Sequence, residues 1–215
     1  MTNTDNIIDA FVQQFPLVSY QAGEIPFHHQ IIHDHFLFIK TGCIKMSQLN
    51  TGGNVTTLHV FYPGSCVSLL SLEEKPVTYE FQTLTAVEAY KIPRSTFIDF
   101  LRQNPEVSYT FLLRVLKGLD GLLLRIHQSA AASAYQRVAS LLIYFSQHFS
   151  EQNGQPTIQI SLTHQDIAEW LGLSRENVSI QMKKLERAGL IRHQQHFIEI
   201  PKLESLQKLA QNFAR

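Results

Sequence analysis

The chain has 215 residues, with 18 Lys and Arg against 18 Asp and Glu, and 44% of it is hydrophobic. That length holds one large or two small domains with real cores, and no apolar run reaches the roughly 18 residues of a membrane span. The opening MTNTDNIIDAFVQQ lacks the basic lead and apolar core of a secretion signal, and two cysteines, Cys43 and Cys66, are too few for a disulfide framework or a four-cysteine iron–sulfur cluster, so the expected compartment is a reducing cytoplasm.

In chain order, Ile7, Ile8, Phe11 and Val12 recur at helical spacing within 3–14 and predict a short amphipathic helix. From Leu17 to about Ile92 the texture changes. Short runs rich in Val, Ile, Phe, Tyr and Thr (36–39, 43–46, 55–61, 81–85, 89–92) are broken by Thr41-Gly42, Asn50-Thr51-Gly52-Gly53-Asn54 and Pro63-Gly64. Strands at that spacing, with turns of that chemistry, predict a β-barrel or jelly roll. A helix follows from Pro93 to Asn104, with Phe97, Ile98 and Leu101 on one side.

A long helix is predicted from about Pro105 to Gln128. Leu112, Val115, Leu119, Leu122 and Ile126 repeat as 3-4-3-4, the heptad seam of two helices packed side by side; a core helix of a single monomer is the alternative. Leu113, Leu116 and Leu123 fall off the seam and could cover the barrel. Ser129-Ala130-Ala131-Ala132-Ser133 reads as a hinge. Another amphipathic helix covers 135–149, followed by a loop and a strand at 157–160.

The stretch 162–192, LTHQDIAEWLGLSRENVSIQMKKLERAGLIR, carries two capped helices. Thr163 is an N-cap with Asp166 three residues on, near a capping box. Ile167, Ala168 and Leu171 share a face, Gly172 ends the helix in the left-handed conformation, and Leu173 plugs the turn. Ser174 caps the second helix. Its Val178, Met182 and Leu185 point at the first helix and leave Arg175, Glu176, Ser179, Ile180 and Lys183 open. This is the pattern of a helix-turn-helix that lays its second helix in the DNA major groove; two short helices joined by glycine in an ordinary core are the alternative. A hairpin at 190–200, turning through His193 to His196, makes a wing, and a last helix runs from Leu203 to Phe213. Residues 1–130 hold nine Lys and Arg against eleven Asp and Glu, whereas 131–215 hold nine against seven, so the second part is the mildly basic one, as a phosphate partner favours.

The order β-roll, heptad helix, winged helix resembles the Crp/Fnr superfamily of bacterial transcription regulators. The residues that carry it are Leu162-Thr163-His164-Gln165-Asp166-Ile167-Ala168, Leu171-Gly172-Leu173-Ser174-Arg175-Glu176-Asn177-Val178, and Leu185 with Gly189-Leu190-Ile191. Tyr20-Gln21-Ala22-Gly23-Glu24, Phe38-Ile39-Lys40-Thr41-Gly42 and Tyr62-Pro63-Gly64 are similar to the turns of the family's sensor domain. The resemblance implies an α+β chain: a β-roll sensor at 1–104, a dimerisation helix and hinge at 105–132, and a winged-helix DNA-binding domain at 133–215.

It also implies roles. Arg175 takes a guanine edge or a phosphate, Glu176 accepts from a cytosine amino group, and Ser174, Asn177 and Ser179 sit at the same surface. Ile180, where many members have Arg, packs on a thymine methyl instead, so the half-site differs from theirs. Thr163, His164 and Gln165 are placed for phosphates, with His164 standing where Arg is frequent; Lys183, His193 and Gln194 are further phosphate candidates. The family's cyclic-nucleotide binders carry Gly-Glu and then Arg-Ser or Arg-Thr in the sensor. Here those stretches are Cys66-Val67-Ser68-Leu69-Leu70 and Val77-Thr78-Tyr79-Glu80, and no arginine lies between Lys45 and Arg94. Cyclic AMP is therefore not expected, and the oxygen sensors' N-terminal cysteine cluster is absent.

His28, His29, His33 and His35 crowd into eight residues. Solvent-facing histidines are the expectation, with a metal or haem site, or a pH-responsive role, as alternatives. Cys43 and Cys66 read as buried free thiols, with a redox pair as the alternative. No nucleophile elbow, phosphate loop or His-Glu-x-x-His occurs, so no enzyme, cofactor or metal site is expected. The expected protein is a homodimer that binds double-stranded DNA, touches RNA polymerase if it activates, and answers an unknown small-molecule effector or none. A sensor acting through protein contacts, its DNA domain vestigial, is the competing reading, favoured by zero net charge and by Ile180.

Overall fold

The computed structural model describes residues 3–27, 33–49, 53, 55–73, 75–149, 156–158, 160–194 and 197–211. The chain packs as two compact units, Met1–Gly121 and Leu122–Arg215.

In the first unit, helix α1 (Asn3–Val12) precedes seven strands: β1 (Leu17–Tyr20), β2 (His35–Thr41), β3 (Ile44–Leu49), β4 (Val55–Phe61), β5 (Cys66–Val67), β6 (Glu80–Thr83) and β7 (Val87–Pro93). They form two antiparallel sheets, β1-β7-β2-β5 and β4-β3-β6. Strand β2 explains why the roll closes. Its side chains alternate between faces, and both faces are apolar. Phe36 and Phe38 join Ile8, Val12, Ile92, Phe97, Val107 and Phe111 in one core. Leu37 and Ile39 join Phe27, Ile44, Val67, Val77, Phe81, Val87 and Ala89 in the other. Each such side chain, taken out of water, contributes about 1.5–3 kcal/mol before the cost of ordering it.

Between β2 and β3 the chain passes from one sheet to the other at Gly42, whose φ is +80°. A Cβ there would stand 2.0 Å from the Ala86 carbonyl oxygen, so the turn needs glycine for space as well as for backbone angle. Of the predicted 50–54 turn, Gly53 is described and has φ +78°; Asn50, Thr51, Gly52 and Asn54 lie outside the described residues. The pairing of Leu49 with Val55 makes β3–β4 the expected hairpin.

Helix α2 (Arg94–Gln103) and helix α3 (Pro105–Ala131) follow. Asn104 between them has left the helical region, at φ −127° and ψ 79°, the region that a following proline disfavours. Two sequence expectations fail here. Leu113 and Leu116 do not cover the roll: they are 47% and 46% exposed, and Leu123 is 55% exposed, while Val107 and Phe111, earlier on α3, are buried in the first core. The predicted hinge at 129–133 also shrinks, because Ser129, Ala130 and Ala131 are helical. Three small residues in a row leave the helix unopposed, and the break comes only at Ala132-Ser133.

In the second unit, α4 (Ala134–Phe149) buries Val138, Ala139, Leu141, Leu142 and Phe145. It packs against β8 (Thr157–Ile158), α5 (His164–Leu171), α6 (Arg175–Arg187) and α7 (Leu203–Gln211). Strands β9 (Arg192–Gln194) and β10 (Phe197–Glu199) form the wing hairpin and pair with β8 in the order β8-β10-β9; His193 and Gln194, expected in the turn, belong to β9, and Gln195 and His196 lie outside the described residues. No described helix is long and apolar enough to cross a membrane.

Candidate nucleic-acid interface

Each of the two short helices is fixed at its start by its own side chains. Thr163 Oγ1 accepts from the Asp166 N–H at 3.1 Å, and the Thr163 N–H donates to the Asp166 carboxylate at 2.9 Å. Both bonds of a capping box are therefore present, and two otherwise unpaired helix-end donors are satisfied. Gly172 is left-handed at φ +62°, and Arg137 of α4 donates to the Leu171 carbonyl at the same helix end. A cation against unpaired C-terminal carbonyls is favourable. Ser174 Oγ then accepts from the Asn177 N–H at 3.1 Å and starts α6.

Val178, Met182 and Leu185 of α6 are buried against α4 and α5. That rotation leaves Arg175, Glu176, Ile180 and Lys183 exposed and Ser179 half-buried. Asn177 is drawn along the helix, its side-chain oxygen accepting from Gln181 Nε2 at 2.8 Å. Sequence reasoning missed Trp170, which is buried with its ring 5.3 Å from that of Phe145 and 5.7 Å from that of Tyr144. Its spacing of three from Ile167 could have placed it on the inner face. The Arg125 guanidinium lies over the Trp170 ring at 5.1 Å, so the end of α3 is tied to α5 by a cation–π contact of about 1 kcal/mol.

A hollow of about 490 Å³ opens where the starts of α5 and α6 meet the wing. Leu162, Thr163, His164, Gln165, Arg175 and His193 line it. Five of these were expected at phosphates: Thr163, His164 and Gln165, with His193 as a further candidate and Arg175 as a residue for a guanine edge or a phosphate. The His164 and His193 rings are 6.1 Å apart, and His193 Nδ1 is bonded to the Glu186 carboxylate. Partial burial, with His193, Arg175 and Lys183 adding to it and Glu186 opposing, holds His164 below the usual histidine range. The hollow is thus rimmed by donors and cations at two helix N-termini, the environment that takes an anion.

Along α3, Leu112, Val115, Leu119 and Ile126 are 47–65% exposed, and Leu122 is half-buried. Leu113, Leu116 and Leu123 beside this line are exposed to a similar degree, at 47%, 46% and 55%.

In the roll, Ser68 follows β5 at φ +73°, the one described non-glycine residue with positive φ. Contrary to the solvent-facing expectation, His33 is 2% exposed. Its Nδ1 is bonded to Ser68 Oγ, which lies 2.7 Å from Ser71 Oγ, and its ring stacks on Phe27 at 4.4 Å. Burial follows from the sequence: His33 enters with the apolar β2 strand and its polar atom finds a hydroxyl partner. His35 is half-buried and bonded to Asp34, while His28 and His29 lie outside the described residues. Among the described residues no three His, Cys, Asp or Glu side chains could share a metal ion. Arg94 donates to the carbonyls of Ser71 and Leu72 at 2.9 and 3.2 Å. Where a cyclic nucleotide needs a carboxylate for ribose and a guanidinium for phosphate, this turn offers Ser68 and Leu69, and the nearest arginine in sequence holds the backbone. These residues do not fit that ligand.

Residues 136–209 match the family model of the Crp-like helix-turn-helix domain, and residues 17–104 match that of the cyclic nucleotide-binding domain. A CRP-like cAMP-activated global transcriptional regulator of Mycobacterium tuberculosis is 27% identical over 209 residues, covering 94% of this chain and 92% of its own. The transcriptional activator protein FnrL of Cereibacter sphaeroides is 26% identical over 178 residues, covering 80% and 71%. Among solved structures, a CRP/FNR-family transcriptional regulator from Thermus thermophilus superposes with a TM-score of 0.77 at 23% identity, over 92% of this chain and all of that one.

Proposed function

The chain belongs to the Crp/Fnr family of transcription regulators, and on that premise we propose that it works as a cytoplasmic homodimer on a near-palindromic DNA site without cyclic AMP as its signal. The observation that carries the reading is the paired surface of α6 and the hollow: exposed Arg175, Glu176, Ile180 and Lys183 beside the open cradle that Thr163, His164 and Gln165 help to line. One part faces base edges and the other the backbone, the division of labour that fixes register and then reads sequence. Ser174, Asn177 and Ser179 complete the base-facing strip.

The two-fold reader is supported by the exposed line Leu112, Val115, Leu119 and Ile126, with Leu122 continuing it. A second copy would cover that line and set two recognition helices one turn of DNA apart. A half-site unlike the Arg-reading members of the family follows from Ile180, which is 52% exposed and offers a thymine methyl only van der Waals contact. The mismatch between the Ser68-Leu69 turn and a cyclic nucleotide supports a different effector or none; bound metal or haem is no part of this reading. RNA polymerase is the protein partner if the regulator activates.

Selection of bound fragments from a randomised DNA pool, with and without cell metabolites, tests this. A two-fold symmetric motif is expected, insensitive to cyclic AMP. No enriched motif at low salt, with metabolites present, would favour a sensor that works through protein contacts. A motif whose affinity rises with cyclic AMP would overturn the reading of the roll.

A further inference from the structure

We propose that His164 is a proton-gated ligand for one DNA backbone phosphate, with His193 as the facing wall, so that the protein grips DNA more tightly as pH falls. The inference rests on the DNA-binding reading above and concerns how that site is controlled.

The hollow holds only one ionisable group between two states near neutrality that has no partner of opposite charge in direct contact. Its other lining residues are Leu162, Thr163, Gln165, the permanent cation Arg175, and His193, which is already bonded to Glu186. His164 itself, at the first position of α5, sees His193 from β9, and Arg175, Lys183 and Glu186 from α6. On its own helix, Asp166 is committed to the Thr163 cap. Among the described residues, then, cations outnumber the single carboxylate that faces it. In the empty hollow the charged imidazole is opposed by burial and by those cations. A phosphate reverses the sign of the field: the same cations become its counter-charges, and a proton on Nδ1 or Nε2 gives a charge-assisted hydrogen bond in place of a neutral one.

A ligand that prefers the protonated form carries a proton in with it. Affinity is then low and flat at alkaline pH. It rises as pH falls through the value His164 has with phosphate bound, and levels off below its value in the free protein. One proton gives at most about tenfold in affinity per pH unit. Protonation also adds one cation to the phosphate contacts, so the salt dependence steepens by about 0.9 in log–log slope.

Fluorescence anisotropy with a labelled duplex of roughly 30 base pairs and arbitrary sequence reads the backbone contact without needing the motif. The wild type is expected to gain about tenfold in affinity from pH 8 to pH 6. His164→Gln should be flat across that range and weak; His164→Arg should be flat and tighter than wild type at pH 8. His193→Gln, which leaves His164 in place, should keep the pH dependence. Superimposable pH profiles for wild type and His164→Gln overturn the proposal, as does a pH dependence that survives in His164→Arg. An NMR titration of His164 in the full-length protein gives an independent reading: its midpoint rises on adding the duplex, and an unmoved midpoint refutes the mechanism even if binding is pH-dependent for another reason. Failure of the wild type to bind any duplex at either pH and low salt would instead overturn the DNA-binding reading, and this inference with it.

Discussion

Leu119→Asp tests the two-fold architecture. Leu112, Val115, Leu119 and Ile126 are 52%, 52%, 47% and 65% exposed, so each protomer shows roughly two whole apolar side chains along this line, about 3–6 kcal/mol if covered. Two protomers double that to about 6–12 kcal/mol, of the same size as an association cost of about 4–15 kcal/mol, so in the proposed dimer one buried charge decides the balance. Aspartate at 119 removes about 1 kcal/mol of burial per protomer and brings two like charges to the two-fold axis, where desolvation costs several kcal/mol per ion. A loss of about 4 kcal/mol or more raises the dimer Kd roughly a thousandfold. Sedimentation equilibrium at micromolar concentration should show monomers, and gel shift should show weakened DNA binding. Leu113→Asp is the control: Leu113 is equally exposed, at 47%, but lies off the seam, so its dimer should persist. A Leu119→Asp dimer of unchanged Kd, or equal loss in both variants, would refute the seam.

Gly42→Ala should cost about 3 kcal/mol in urea unfolding, because a left-handed alanine is strained and its Cβ would overlap the Ala86 carbonyl; Gly53→Ala, with φ +78° and nothing within 4 Å, should cost only about 1 kcal/mol, and equal losses would refute the packing argument. Burial pushes the Cys43 thiol up to about 12 and the Cys66 thiol higher still, so both should resist a disulfide reagent at pH 8 in the native state and react at the unfolding rate; rapid native reaction would revive a redox pair. Glu176→Ala should erase one base preference in each half-site of the selected motif, worth about 1–3 kcal/mol of discrimination. An unchanged motif removes that residue from base contact.

The helix-turn-helix was legible because its determinants are local. Thr163, Asp166, Gly172 and Ser174 act within four residues of themselves, and the structure returns their bonds. The long strands were legible for the same reason, through alternation. Strand β5 was not: Cys66 and Val67 are two residues whose strand is made by pairing with Phe38 and Leu37, a contact that no local pattern announces. The 3-10 turn Leu69–Glu73 is likewise set by Arg94, 22 and 23 residues beyond the carbonyls it binds. His33 was misjudged because a histidine next to a loop looks the same in sequence whether or not a serine thirty-five residues away completes it. Leu113 and Leu116 were placed against the roll because spacing does not say how far along a helix the neighbouring core extends, and that core ends at Phe111.

Gly118 and Gly121 sit in the middle of α3, Gly121 being the last residue of the first packed unit. A methyl group at either would touch nothing within 4 Å, so space within the chain does not call for glycine. Each makes the helix easier to open by about 1 kcal/mol than alanine would, and together they raise the frequency of local opening by roughly thirtyfold. In mechanical terms α3 is a torsion rod with a soft section. Two methyl groups separate this helix from a stiffer one, and whatever bending α3 undergoes is concentrated there.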